Sequence, residues 1–328
     1  MIFPHKLKKD DGVRVVTPAR SLAMKWINDE LKRIAIKRFE DLDLSLSFGK
    51  HVNEIDEFKS STIKSRVQDL HDAFEDPSIK MIISVIGGFS SNQILPFLDY
   101  KMIKSNPKII CGYSDITALE NAVYTKTGLV TYSGPHFFNF GSKKGFEYTS
   151  EYFKKCLFSN DPFEVQPSKE WSNDKWANNQ ENRRFEKNEG FFVINEGKAE
   201  GKIVGSNLVT FQHLAGTPYM PSLRNTILFI EDDEEEKAHH FDSNLTALSL
   251  IPDFSEVKGV VIGRFQHESN MKRQTLTKII KNNRIFDDIP VIGGVDFGHT
   301  EPRITFPIGG TCKVLAENNK VKLEILKH

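Results

Sequence analysis

The chain has little cysteine. Cys111, Cys156 and Cys312 are the three thiols among 328 residues, far apart and without the paired spacing of a disulfide framework or a zinc motif. A reducing, cytoplasmic setting is the expectation. No run approaches the roughly 20 apolar residues of a membrane span, and the opening MIFPHKLKKDDG has no apolar core of a secretory signal. Charge of one sign is also missing: 44 basic residues face 44 acidic ones, so no electrostatic case exists for nucleic acid or another polyanion as partner. There is no internal repeat. The Gly87-Gly88 pair lacks the GxGxxG and GxxxxGK spacings of a phosphate cradle.

What remains is an ordinary globular composition, 39% hydrophobic and 27% charged, with length enough for two domains. In the first half, apolar strands alternate with amphipathic helices. Val13–Thr17, Met81–Ile86, Ile109–Cys111 and Leu129–Tyr132 read as strands. Helical spacing covers 24–40, with Ile27, Leu31 and Ile34, and a helix opens at Ser60-Ser61-Thr62, buries Ile63, Val67, Leu70 and Phe74, and closes at Pro77. A helix carrying Ile94, Leu95 and Leu98 and another over 115–126 complete the pattern. Strands apolar throughout indicate a parallel sheet covered on both faces. Ligands of such sheets sit beyond the carboxyl ends of the strands, where Pro18–Ser21, Gly87–Ser91 and Gly112–Asp115 converge.

The polar, asparagine-rich stretch 166–190 reads as an interdomain loop, with Trp171 and Trp176 either packed on the body or forming a pocket wall. It separates a domain over 1–165 from a smaller, β-rich α/β domain over 191–328. Strands are expected there at 191–194, 198–204, 226–230, 259–262, 290–292, 313–315 and 321–325, and helices at 207–215, 238–250 and 271–283.

Three residues carry a chemical pattern. Ser114 lies between an apolar strand and a helix, a turn that exposes a nucleophilic Oγ beside the N–H groups of the new helix; the same serine also suits an N-cap. His299 lies in the glycine-containing loop Val295–Pro302 beyond a strand, a place suited to a catalytic base. Glu231 ends the apolar strand 226–230 and can orient an imidazole, whereas the acidic residues 232–236 after it read as a solvated face. His239-His240 shows no metal-ligand spacing, and no metal is expected.

Several separated motifs resemble those of the LD-carboxypeptidase family of serine peptidases. They are IGGFSSN (86–92) with LPFLDY (95–100), GYSDITAL (112–119), LFIED (228–232), and FGHT (297–300) with PIG (307–309). The order Ser…Glu…His also matches. The resemblance implies an N-terminal flavodoxin-like layered domain with a smaller C-terminal α/β domain, no cofactor or metal, and a homodimer. It implies Ser114 as nucleophile, His299 as base and Glu231 as its orienter, with the backbone N–H groups of Gly88 and Asp115 as oxyanion hole. Within the family the chain looks closer to the microcin C immunity, MccF-like, branch than to the branch releasing D-alanine from murein tetrapeptides, because it keeps the tryptophan-containing segment 166–190 and has Tyr132-Ser133-Gly134-Pro135 where many wall-recycling enzymes have a histidine before Gly-Pro. The substrate implied is a small peptide or peptidyl nucleotide, with Trp176, Phe191 and Asn207 as candidate substrate contacts. That branch has tryptophan after the loop glycine where Phe191 follows Gly190, and Asn207 also suits a helix N-cap. Two rivals stand beside this reading. A cysteine amidotransferase-like enzyme would need its thiol at the turn, and a two-domain ligand-binding module would use the cleft without chemistry.

Overall fold

A computed structural model describes all 328 residues, Met1–His328. The fold is mixed α/β, built on two sheets. The first orders its six strands Phe306–Ile308, Thr131–Ser133, Ile109–Gly112, Ile79–Ser84, Gly12–Val16 and Ser45–Phe48. All neighbours are parallel except Phe306–Ile308, which runs antiparallel to Thr131–Ser133. In the second sheet of eight, Gly197–Asn207, Thr226–Glu231, Gly259–Gly263 and Val291–Val295 form a parallel centre. Antiparallel strands flank it: Phe192–Asn195 on one side, and Thr311–Glu317, Lys320–Lys327 and Phe163–Val165 on the other.

The continuous apolar strands are buried on both faces. Met81 and Ile83 enter one apolar cluster while Ile82 enters a second; Ile227 and Phe229 divide from Leu228 and Ile230 in the same way. Each cluster draws from both sheets, so the sheets pack as one body. Two strands also exchange partners: Phe163–Val165, before the polar stretch, joins the second sheet, and Phe306–Ile308, from the C-terminal part, closes the first.

The helices Asp29–Asp41, Ile63–Glu75, Ile116–Thr127, Ala238–Ser249 and Arg273–Asn282 lie where the periodicity puts them, and Thr62 caps the second through Ser65 N–H. Leu208–Gln212 is shorter than the expected 207–215. Ser91–Phe97 is a 3-10 helix with Pro96 inside it; proline has no N–H to give an α-helical ladder. Several elements were not expected, among them the strands Ser45–Phe48, Phe163–Val165 and Phe306–Ile308 and the helices Tyr100–Ser105 and Glu147–Phe158.

The 166–190 stretch is folded onto the body rather than strung between domains. Glu170–Trp171 pairs with Glu186–Lys187, and Ser172 exchanges backbone hydrogen bonds with Glu301. Asp296 takes the Ser168 N–H at 2.8 Å, and Asp174 takes Arg183 Nε at 2.8 Å. Both Trp171 and Trp176 are buried. No helix is long and apolar enough to cross a membrane.

Candidate active site

Strand Ile109–Gly112 stops, and Tyr113-Ser114-Asp115 turns into helix Ile116–Thr127. Ser114 has φ +59°, the left-handed region that costs a non-glycine residue on the order of 1 kcal/mol or more. Asp115 rather than Ser114 occupies the N-cap, and it makes no side-chain cap bond. Ser114 is therefore held in a strained turn with its side chain free of a capping duty.

The Gly87–Ser91 loop lies against this turn. A Cβ on Gly87 would come within 2.9 Å of Ser114 Oγ, so only glycine lets the two segments approach so closely. The Asp115 carboxylate fastens the loop by accepting the N–H groups of Ser90, at 2.9 Å, and Ser91, at 2.8 Å. The backbone N–H groups of Gly88 and Asp115 find no acceptor within the protein.

His299 comes from the loop after strand Val291–Val295. Its Nε2 is 2.9 Å from Ser114 Oγ, and its Nδ1 is 2.8 Å from Glu231 Oε2. A carboxylate only accepts, so Nδ1 carries the hydrogen and Nε2 of the neutral ring is left to accept from the serine. Gly298, with φ +101°, opens the space: a Cβ there would lie 2.5 Å from Glu231 Oε2. Burial works to lower the His299 pKa, but the charge and hydrogen bond of Glu231 outweigh it and raise the value above its usual 6.5.

Glu231 is buried at the end of its strand beside buried Asp232. Burial, then the charge of Glu231, pushes the Asp232 carboxyl up to about 9, so at neutral pH it keeps its proton. Asn207 Nδ2 bridges them, 3.3 Å from Glu231 Oε1 and 3.1 Å from Asp232 Oδ1, while its Oδ1 caps helix Leu208–Gln212 through Thr210 N–H at 3.0 Å. Its amide is thus fully engaged inside the protein, beneath Glu231. The two sheets are locked together behind this point. Asn121 Nδ2 donates to Gly205 O at 2.9 Å, and Asn207 N–H donates to Thr117 Oγ1 at 3.1 Å.

A cavity of about 450 Å³ opens at His299, walled by Tyr113, Phe138 and Trp176 among others. Trp176 is stacked on Phe138 with centroids 4.5 Å apart. Phe191 packs against the apolar core and does not line this cavity. Of the three candidate substrate contacts, Trp176 alone is on its wall.

Sequence reasoning missed a buried polar group at the cavity floor. Arg303 Nη2 pairs with Glu301 Oε1 at 3.0 Å, which also takes Asn139 Nδ2 at 3.1 Å. The Arg303 guanidinium lies 4.0 Å from the centroid of the Tyr113 ring, which also packs against His136 at 4.2 Å and His299 at 5.3 Å. Arg303 follows His299 by four residues in the same loop, and that proximity is its one local signal; Asn139 has none. Cys111 is buried on its strand, away from the turn, and burial raises its thiol pKa well above the ordinary value. It is not placed as the thiol of an amidotransferase-like site. No group of three or more His, Cys, Asp or Glu side chains is placed to hold a metal ion.

Comparison with known proteins gives a consistent neighbourhood. The LD-carboxypeptidase N-terminal domain model matches residues 13–134, and the C-terminal domain model matches 200–314. YocD of Bacillus subtilis is 50% identical over 327 residues, covering 100% of both chains. The microcin C7 self-immunity protein MccF of Escherichia coli is 34% identical over 289 residues, 84% of this chain and 82% of that one. An MccF-like protein from Bacillus anthracis superposes with a TM-score of 0.98 at 48% identity, covering 100% of each chain. MccF in complex with aspartyl sulfamoyl adenosine superposes at 0.89 with 29% identity, covering 100% of this chain and 99% of that one. The two domain models together match well over half of the chain, and the chain belongs to the LD-carboxypeptidase family.

Proposed function

We propose that this chain is a serine-type hydrolase that cleaves an amide in a small peptide conjugate, with an aminoacyl nucleotide as the favoured substrate class. The observation that carries this reading is the unbroken relay Ser114 Oγ–His299–Glu231, with contacts of 2.9 and 2.8 Å, at the mouth of an aromatic-walled cavity.

In the proposed reaction, His299 Nε2 takes the proton as Ser114 Oγ attacks the carbonyl carbon. The charge that develops on the carbonyl oxygen is met by the N–H groups of Gly88 and Asp115, which are fixed before the reaction begins. Glu231 holds the imidazole in its tautomer and stabilises the imidazolium. His299 then gives the proton to the departing amine, and water repeats the sequence to release the acyl group. The departing half occupies the cavity, whose wall includes the aromatic residues Tyr113, Phe138 and Trp176. The ligand of the superposed MccF complex, aspartyl sulfamoyl adenosine, has the same division into an acyl half and a base-bearing half.

A second candidate substrate is the D-alanine-terminated murein tetrapeptide, since a relative 30% identical over 314 residues is a probable murein peptide carboxypeptidase of Bacillus subtilis. Parallel assays on an L,D-tetrapeptide and on aspartyl sulfamoyl adenosine, read by mass spectrometry, separate the two. The account expects kcat/KM to be at least about tenfold higher on the nucleotide conjugate, a difference of about 1.4 kcal/mol in transition-state binding. Faster turnover of the tetrapeptide would move the assignment to the wall-peptide branch. Turnover of neither would remove the aminoacyl-nucleotide reading.

A further inference from the structure

A second cavity, of about 550 Å³, lies outside the Ser114–His299–Glu231 group. It opens at the carboxyl ends of strands Gly259–Gly263 and Val291–Val295, the edge of a parallel sheet where ligands gather. Gln266 is the one residue that lines both this cavity and the one at His299. We propose that this second cavity is an anion-binding site that takes a carboxylate or a phosphate.

The charges on its wall are unbalanced. Lys187, Arg264, Lys272 and Arg273 contribute four cations against Glu186 and Glu189, and Glu186 is already engaged by His267 Nε2 at 2.7 Å. Among the four cations only Arg264 has an ion-pair partner, Asp296 at 2.8 Å. The arginines are also held in place rather than left to swing in water. The Arg264 guanidinium sits 4.9 Å from the centroid of Trp171, and that of Arg273 sits 4.4 Å from Phe192. Arg264 Nη2 is fixed by Asp296 and by Gly294 O at 3.2 Å, while its buried Nε has no acceptor. Guanidinium groups restrained in this way suit planar or tetrahedral oxyanions.

The sequence at helix Arg273–Asn282 agrees. Its N-cap is Lys272, with no side-chain cap bond, and its first residue is Arg273. Two cations at the positive end of a helix are electrostatically misplaced in the free protein. A bound anion reconciles them with the helix and accepts from its free N–H groups. The shared wall at Gln266 makes the far end of a substrate seated at His299 one source of the anion; a free anion in solution is the other. Binding itself does not depend on the catalytic reading, whereas the assignment to a substrate does.

The test uses inorganic phosphate and the full chain, by calorimetry at low ionic strength. Saturable binding is expected for the wild type and equally for Ser114→Ala. The double variant Lys272→Ala/Arg273→Ala should bind at least about tenfold more weakly, with Arg273→Lys in between. Both residues are exposed, and a circular-dichroism melt checks that the double variant folds. Binding unaltered in the double variant, or no saturable binding to the wild type, would overturn the proposal. Once binding is established, inhibition kinetics identify the source. Phosphate that raises KM at constant kcat occupies the place of a substrate anion, and phosphate that changes kcat at constant KM acts as a free effector. Absence of any hydrolysis counts against the catalytic reading and leaves the calorimetric result standing on its own.

Discussion

Replacing Ser114 by alanine is expected to lower kcat/KM by at least ~10³-fold, about 4 kcal/mol of transition-state stabilisation, while the fold is kept. The magnitude follows from what the proposed role asks of the side chain. Alanine removes the only oxygen within 2.9 Å of His299 Nε2 that can attack a carbonyl, but it leaves the N–H groups of Gly88 and Asp115 and the whole cavity in place. The remaining rate is what binding and oxyanion stabilisation give to attack by water. Stability should change little, because the methyl group meets the same left-handed backbone as serine and Ser114 makes no cap bond. Substrate binding should survive, so KM should move far less than kcat. Steady-state kinetics with a thermal melt on the same preparation check all of this. A variant that turns over at the wild-type rate would remove Ser114 from the chemistry.

Glu231→Gln is the second large effect, a fall of roughly 10³–10⁴-fold in kcat at neutral pH, in line with a tautomer-fixing carboxylate. A glutamine can offer its N–H₂ to His299 Nδ1, which then becomes the acceptor and turns the N–H of Nε2 toward Ser114. The base is then in the wrong tautomer. The pH profile should change as well. In the wild type His299 must be neutral to act as base, and its pKa lies above the usual 6.5 because Glu231 outweighs burial. Activity should therefore fall as pH drops through a value above 6.5. Without the carboxylate, burial prevails, the pKa falls, and the acid limb of the residual activity moves to lower pH. A limb unmoved in the variant would mean that Glu231 does not govern His299.

How far the sequence is legible differs by element. The serine turn is readable because its cause is local: four apolar residues end at Gly112 and a helical pattern begins at once. The end of the 226–231 strand is readable for the same reason. The left-handed φ of Ser114 is not, since it depends on the Gly87 loop packed against it and on the sheets being locked through Asn121 and Asn207. Helix Glu147–Phe158 carries a helical pattern in buried Thr149, Tyr152, Phe153, Cys156 and Leu157, but it lacks a start signal, because its N-cap is Phe146. Periodicity is silent on partners. Nothing local in Phe163–Val165 or Phe306–Ile308 says that each crosses to the other sheet. The 166–190 stretch is too polar to form a core, and hydrogen bonds to Asp296 and Glu301 hold it in place; those partners lie more than a hundred residues away. Trp176 shows the same limit. Composition marks it as unusual, but only the fold puts it against Phe138 at the cavity wall.

The central claim is that Ser114 is a nucleophile activated by His299. Its most direct measurement is intact-protein and peptide mass spectrometry after treatment with a serine-directed phosphonate. The account predicts one adduct per chain, on the peptide containing Ser114, absent in Ser114→Ala and formed at least ~10²-fold more slowly in His299→Ala. No adduct on the wild type, an adduct on another residue, or labelling of Ser114 at an unchanged rate without His299 would contradict it.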